Sequence, residues 1–166
     1  MHPQVLHWVG RSITESGIQI SGATILEFGS LDINGSVRSV LQQNASLYLG
    51  VDVQAGPGVD VVADAETFSY PQEFDIVVCC EVFEHTPRWR EIISNSHHLL
   101  RTGGLFISTM AGEGRPPHSA IDENPIRDWE YYANVGAWEL KRCIQPLFAF
   151  YNIDYSGFDL RCWAVK

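Results

Sequence analysis

The chain has no C-x-x-C pair and no zinc-finger spacing among its four cysteines, Cys79, Cys80, Cys143 and Cys162, which removes the common redox and structural-zinc motifs. Cys79 and Cys80 fall inside an apolar run and read as small buried hydrophobes. Such cysteine usage fits a reducing cytoplasm. No pair of histidines shows a metal spacing with a third ligand, so no metal is expected. Basic residues are few: 11 Lys+Arg against 20 Asp+Glu give a formal charge of -9. A nucleic-acid backbone would meet repulsion over most of that surface, although a local basic patch would still act within a Debye length. Nucleic acid is therefore disfavoured as a partner. There is no run of about 18 apolar residues and no basic-then-apolar start, so neither a membrane partner nor export is expected.

What is present suits one domain. The 166 residues are 45% apolar and 19% charged, an ordinary globular balance that is long enough for a core but short for two catalytic units, so residues 1–166 are read as a single domain. Residues 1–22 carry helical spacing (Val5, Trp8, Val9, Ile13). Residues 23–28, ATILEF, read as a strand buried on both faces. SVRSVLQQN then places Val37, Val40 and Leu41 on one helix face. LYLGVDV (47–53), VDVVAD (59–64) and FDIVVCCEV (74–82) are three further strands. PRWREIISNSHHLLR is an amphipathic helix ended by Thr102-Gly103-Gly104, and GLFISTM is a fifth strand. VGAWELKRCIQ is helical, and the last twenty residues form two strands around Ser156-Gly157, a hairpin. Residues 111–134 mix Gly, Pro, charge and aromatics without a period, as a functional loop does.

Strands alternating with helices imply an α/β fold, a doubly wound and mostly parallel sheet with right-handed crossovers, in which ligands bind beyond the carboxyl ends of the strands. In this sequence those ends are acidic in turn: Glu27-Phe28-Gly29-Ser30, Asp52-Val53, Asp64-Ala65 and Glu81. An NAD-dependent oxidoreductase would also place an acid after the second strand. It would need a G-x-G-x-x-G loop to bring backbone amides to a pyrophosphate, and Leu31 breaks that spacing after Gly29.

The ordered set LEFGS, GVDV, ADA, FDIVVCCEVFEH and Thr-Gly-Gly resembles the class I methyltransferases that use S-adenosylmethionine. The likeness runs from about residue 23 to 166. It implies a Rossmann-like sheet of seven strands with a C-terminal antiparallel hairpin, S-adenosylmethionine as cofactor, and methyl transfer by in-line displacement. With nucleic acid disfavoured, the acceptor is expected to be a small molecule. By resemblance, Gly29 lets the backbone approach the methionine moiety, with Ser30 beside it. Free amides around Gly35 and Ser36 receive the carboxylate, and Glu27 its ammonium. Asp52 accepts from the ribose hydroxyls, Val53 covers the adenine, Asp64 and Ala65 meet its edge, and Glu81 belongs to the fourth-strand motif. Leu31 and Ile33 depart from the family pattern, where small residues are usual.

Several of these residues have plainer uses. Asp52 also suits a turn, and Asp64 a helix N-cap. His85 and His118 are the candidate catalytic bases, since imidazole takes a proton near neutral pH; His85 would equally serve as a packing residue under the next helix. Residues 111–134 are expected on the acceptor side, their aromatics alternatively forming an oligomer contact such as a homodimer. A chain so close to the minimum for the fold also leaves open a scaffold that binds the cofactor without turnover.

Overall fold

The computed structural model describes residues 3–122 and 124–166. Helix α1 (Pro3–Ser16) buries Val5, Trp8, Val9 and Ser12 along one stripe, the three- and four-residue spacing of an amphipathic helix. The strands are β1 (Thr24–Phe28), β2 (Leu47–Asp52), β3 (Val61–Val62), β4 (Phe74–Cys80), β5 (Leu100–Ala111), β6 (Phe150–Ser156) and β7 (Asp159–Val165). Helices α2 (Arg38–Leu41), α3 (Trp89–Leu99) and α4 (Ala137–Ile144) lie between them.

These strands form one seven-stranded sheet in the order β3-β2-β1-β4-β5-β7-β6. The pairings are parallel from β3 through β5, whereas β7 runs antiparallel to both β5 and β6. The winding reverses between β1 and β4, and the carboxyl ends of β1 to β5 share one edge, where an open α/β sheet leaves a crevice.

Side-chain alternation divides the core into two layers. Ile25, Ile76, Val78, Leu105 and Ile107 pack with Trp8 and Val9 of α1 and with Val37 and Leu41. Leu26, Phe28, Val77, Phe106 and Met110 pack on the opposite face with Trp89, Ile92 and Ile93 of α3 and Leu140 and Ile144 of α4. Both faces of β1 and β4 are therefore dry, which explains their mostly apolar sequences.

Three expectations need correction. The third strand covers only Val61–Val62, not 59–64, because Asp60 is held back by the Gly50 amide (2.7 Å) and Arg38 (2.5 Å) before the chain reaches the sheet edge. The helix after β1 is a single turn followed by a 3₁₀ turn at Gln42–Asn44; Val37 and Leu41 are buried, but Val40 is 40% exposed. Finally, α3 ends at Leu99, ahead of Thr102-Gly103-Gly104, because Leu100 is already extended and paired with Phe74.

Candidate active site

The loop after β1 is bound to β2 by its backbone. Gly29 donates to the Val51 carbonyl (2.9 Å) and Leu31 to Oδ2 of Asp52 (3.1 Å), while Oδ1 of Asp52 accepts from Gln54 (3.0 Å). Asp52 thus fixes the loop, yet each carboxylate oxygen has accepted only one hydrogen bond and keeps a free lone pair. Gly29 sits at φ +74°, and a Cβ there would clash with Cγ2 of Val82, so a side chain here meets both a strained backbone and a crowded neighbour.

Beyond the carboxyl ends of β1 to β4 lies a cavity of about 450 Å³. It brings together Gly29, Gly35, Asp52, Val53, Asp64, Ala65, Glu81, His85 and His118, drawn from five separate stretches of chain. Asp64 is exposed and followed by a turn, not a helix, so it has no helix to cap.

Glu27 and Ser30 do not border this cavity. Glu27 is only 2% exposed and points to the α1 side of the sheet, where Oε2 accepts from the Tyr48 hydroxyl at 2.7 Å and Oε1 from Ser36 at 3.5 Å. Burial raises its carboxyl to about 7, and Tyr48, Arg38 and Ser36 offset that only in part. Ser30 is 1% exposed beneath the loop. Gly35 does line the cavity, but its amide is not free: it donates to Oδ1 of Asp32 at 2.7 Å.

Glu81 has φ +58°, the single non-glycine residue in the left-handed region among those described. Such a conformation persists only where neighbours hold it, and here Thr109 does so twice. Its carbonyl accepts the Glu81 amide (2.8 Å) and its hydroxyl donates to Oε1 of Glu81 (2.8 Å). Held so, Glu81 lines the cavity.

No pattern in the sequence signals Glu84. It is fully buried in the 3₁₀ turn Phe83–His85, with Oε1 accepting from the Ala111 amide (3.1 Å) and its own carbonyl from Ala133 (2.9 Å). Glu84 therefore clasps both ends of the segment that follows β5. Oε2 is buried without a hydrogen-bond partner. Burial, then the charge of Glu81, pushes the Glu84 carboxyl well above the usual carboxylate range.

The segment after β5 folds over the cavity, where Arg115, Ser119, Trp129, Glu130 and Tyr131 join its wall. Ser119 donates to Oε1 of Glu130 (2.7 Å), and the Arg127 amide to Oε2 (2.9 Å), so the loop carries its own polar frame. His118 meets His85 edge-on with ring centres 5.1 Å apart, and both touch Tyr132. Burial, and then His118, lowers the His85 imidazole to about 4. His85 is thus uncharged at neutral pH and a weak proton acceptor, unlike the base expected from its position. Although no spacing in the chain suggests a metal, ligand atoms of Glu84, His85 and His118 all lie within 4.8 Å of one another.

A family model described as "Methyltransferase domain" matches residues 26–108, half of the chain and the stretch that builds β1 to β5. The chain belongs to the methyltransferase domain family. Among curated relatives, it is 24% identical over 127 residues to a ubiquinone biosynthesis O-methyltransferase of Pseudomonas entomophila (strain L48), covering 66% of this chain and 52% of that protein. With the corresponding enzyme of Pseudomonas syringae pv. tomato the figures are 27% over 141 residues, 82% and 56%. The chain spans about half the length of the curated relatives it matches. Among solved structures, the N-methyltransferase NodS from Bradyrhizobium japonicum WM9 superposes with a TM-score of 0.67 at 15% identity, covering 98% of this chain and 94% of that one. A magnesium protoporphyrin IX methyltransferase from Synechocystis PCC 6803, solved with bound SAH, gives 0.69 at 14%, covering 98% and 82%. The methyltransferase domain therefore has the class I, Rossmann-like fold. Among the described residues, no helix is long and apolar enough to cross a membrane.

Proposed function

We propose that this domain binds S-adenosylmethionine and transfers its methyl group to a small-molecule acceptor. The observation that carries the reading is the convergence of Asp52, Asp64 and Glu81 with Gly29 on one cavity at the switch point of the sheet. A phosphate-bearing dinucleotide fits poorly among those carboxylates, whereas a sulfonium and an ammonium fit them well. When bound, S-adenosylmethionine supplies an activated methyl group, so the protein's part is mostly placement and exclusion of water.

Asp52 keeps one free lone pair on each oxygen for the two ribose hydroxyls. Asp64 and Ala65 border the place for the adenine edge, with Val53 as its apolar cover. Glu81 presents its charge to the amino-acid end. Arg115, His118, Trp129 and Tyr131 form the acceptor wall, and their place in the cavity favours that role over an oligomer contact, although a homodimer would use the same exposed aromatic faces. His118 is the better candidate for taking a proton from the acceptor, because burial weakens His85 as a base. The four free cysteines support a cytoplasmic setting.

Calorimetry with S-adenosylhomocysteine on wild type and Asp52→Ala tests the reading. A charge-assisted hydrogen bond contributes about 1.5 to 3 kcal/mol, so the variant should bind roughly ten- to a hundred-fold more weakly. Equal affinity would remove Asp52 from the site. Binding of NADH in its place would move the domain to the oxidoreductases.

A further inference from the structure

We propose that Glu84, His85 and His118 form a site for one divalent transition cation of the zinc class. It is independent of the cofactor reading, because the argument uses only these three side chains and their supports, but an ion on Nε2 of His118 would occupy the lone pair that a proton acceptor needs.

The first observation is distance: one ligand atom from each residue lies within 4.8 Å of the other two. Around a tetrahedral ion with bonds of about 2.1 Å the ligand atoms stand roughly 3.4 Å apart, so an ion would draw each pair together by at most about 1.4 Å. The second is Oε2 of Glu84, a fully buried carboxylate oxygen with no hydrogen-bond partner. A polar atom in so dry a place is costly unless a cation or a hydrogen-bond partner meets it. The third concerns His118, whose Nδ1 lies 3.3 Å from the Pro116 carbonyl. A carbonyl only accepts, so Nδ1 carries the hydrogen and Nε2 presents a lone pair, the orientation that metal-bound histidines receive from their outer partners.

The scaffold holds the three together across a wide gap in sequence. Glu84 and His85 occupy a 3₁₀ turn just after β4, and Glu84 binds Ala111 and Ala133 at the two ends of the segment that carries His118. Two imidazoles and one carboxylate suit zinc or a late first-row ion better than magnesium or calcium, which prefer all-oxygen shells. His85 and His118 also border the large cavity, so a coordination position left open by three protein ligands would face the space assigned to the acceptor.

The test uses the whole chain after treatment with a chelator. Titration with cobalt(II) chloride should give visible absorption that saturates at one ion per chain, and zinc sulfate should give matching heat by calorimetry. His118→Ala and Glu84→Gln should each weaken binding roughly a hundred-fold or more, whereas a His97→Ala, His98→Ala double variant on α3 should bind as wild type does. His118 lies in the loop, outside the sheet, so its variant decides the matter if Glu84→Gln does not fold. The proposal fails if neither ion binds saturably, which would leave His85, His118 and Tyr132 as a packing cluster. It fails equally if both single variants bind at wild-type affinity, or if the α3 variant loses binding. Binding of S-adenosylhomocysteine is measured in the same samples: a protein that takes it and no metal overturns this site alone, and one that takes metal and no S-adenosylhomocysteine upholds it while overturning the cofactor reading.

Discussion

Tyr48 on β2 donates its hydroxyl hydrogen to Oε2 of Glu27 on β1 across 2.7 Å, inside the layer covered by α1. Glu27 is 2% exposed, and burial raises its carboxyl from 4.5 to about 7. A folded-state value above the unfolded one means the native state holds the proton more tightly. The stabilising contribution is therefore complete below about pH 4.5 and is lost as pH rises through 7. Glu27→Gln has no such titration. Urea unfolding from pH 4 to 8 should show wild type losing on the order of 3 kcal/mol relative to that variant, since a tenfold difference in proton affinity between the folded and unfolded states is worth about 1.4 kcal/mol. A constant difference across the range would place the Glu27 carboxyl at its ordinary value.

Removing the donor probes the same pair from the other side. In Tyr48→Phe the Glu27 carboxylate keeps only the long contact with Ser36. The expected loss is about 1 to 3 kcal/mol at pH 8, where Glu27 is ionised, and less at pH 5, where it carries its own hydrogen. Equal losses at both values would mean that packing, and not the hydrogen bond, accounts for the effect.

Arg38 joins α2 to the segment before β3. Its Nη2 donates to the Gly58 carbonyl (2.8 Å) and to Oδ2 of Asp60 (2.5 Å), and its guanidinium lies over the Tyr48 ring, 4.6 Å from the centroid. Lysine brings a point charge without the planar fork. Arg38→Lys should cost about 1 to 2 kcal/mol, which lowers the melting temperature by about 2 to 8 °C in a chain of this size. An unchanged melt would show these contacts to be incidental.

The elements that could be read from the sequence are those whose residues face one environment throughout. β1 and β4 are dry on both sides, and α3 buries Trp89, Ile92, Ile93, Ser96 and Leu99 on one stripe, so pattern and structure agree. β3 misleads because only two of its six expected residues join the sheet: Asp60 is held by Arg38 and Gly50, a contact between distant segments that no local pattern records. The acids at the strand ends could be read because the sheet's topology, once inferred, places them on a common edge. Glu27 shares that position in sequence but faces the opposite layer, and alternation along a five-residue strand decides the face. Glu84 sits next to a catalytic candidate, yet its role depends on Ala111 and Ala133, both remote in the chain. His118 meets His85 only because that clasp folds the loop back.

Trp129 is 71% exposed and also lines the cavity. A side chain that packs so little contributes little to folding, so Trp129→Ala should change stability by no more than about 0.5 kcal/mol. On the proposed function it forms the acceptor wall. The variant should raise the acceptor's KM while the affinity for S-adenosylhomocysteine stays as in wild type. A weakened S-adenosylhomocysteine affinity would instead place Trp129 on the cofactor side.

Gly29 joins the fold to the site, because its conformation sets the path of the loop while its missing side chain leaves room for Val82. Two costs of Gly29→Ala can be separated. The left-handed backbone at φ +74° costs an alanine roughly 1 to 2 kcal/mol wherever it occurs. The clash with Cγ2 of Val82 adds an overpacking cost of about 1 to 3 kcal/mol, which disappears when that methyl group is removed. In a double-mutant cycle with Val82→Ala, the Gly29→Ala cost should fall by the second amount and keep the first. The same cost in both backgrounds would mean that Val82 moves aside freely. Affinity for S-adenosylhomocysteine should stay low in the double variant, because restoring space at Val82 does not restore a glycine's freedom to hold the Leu31 amide on Asp52.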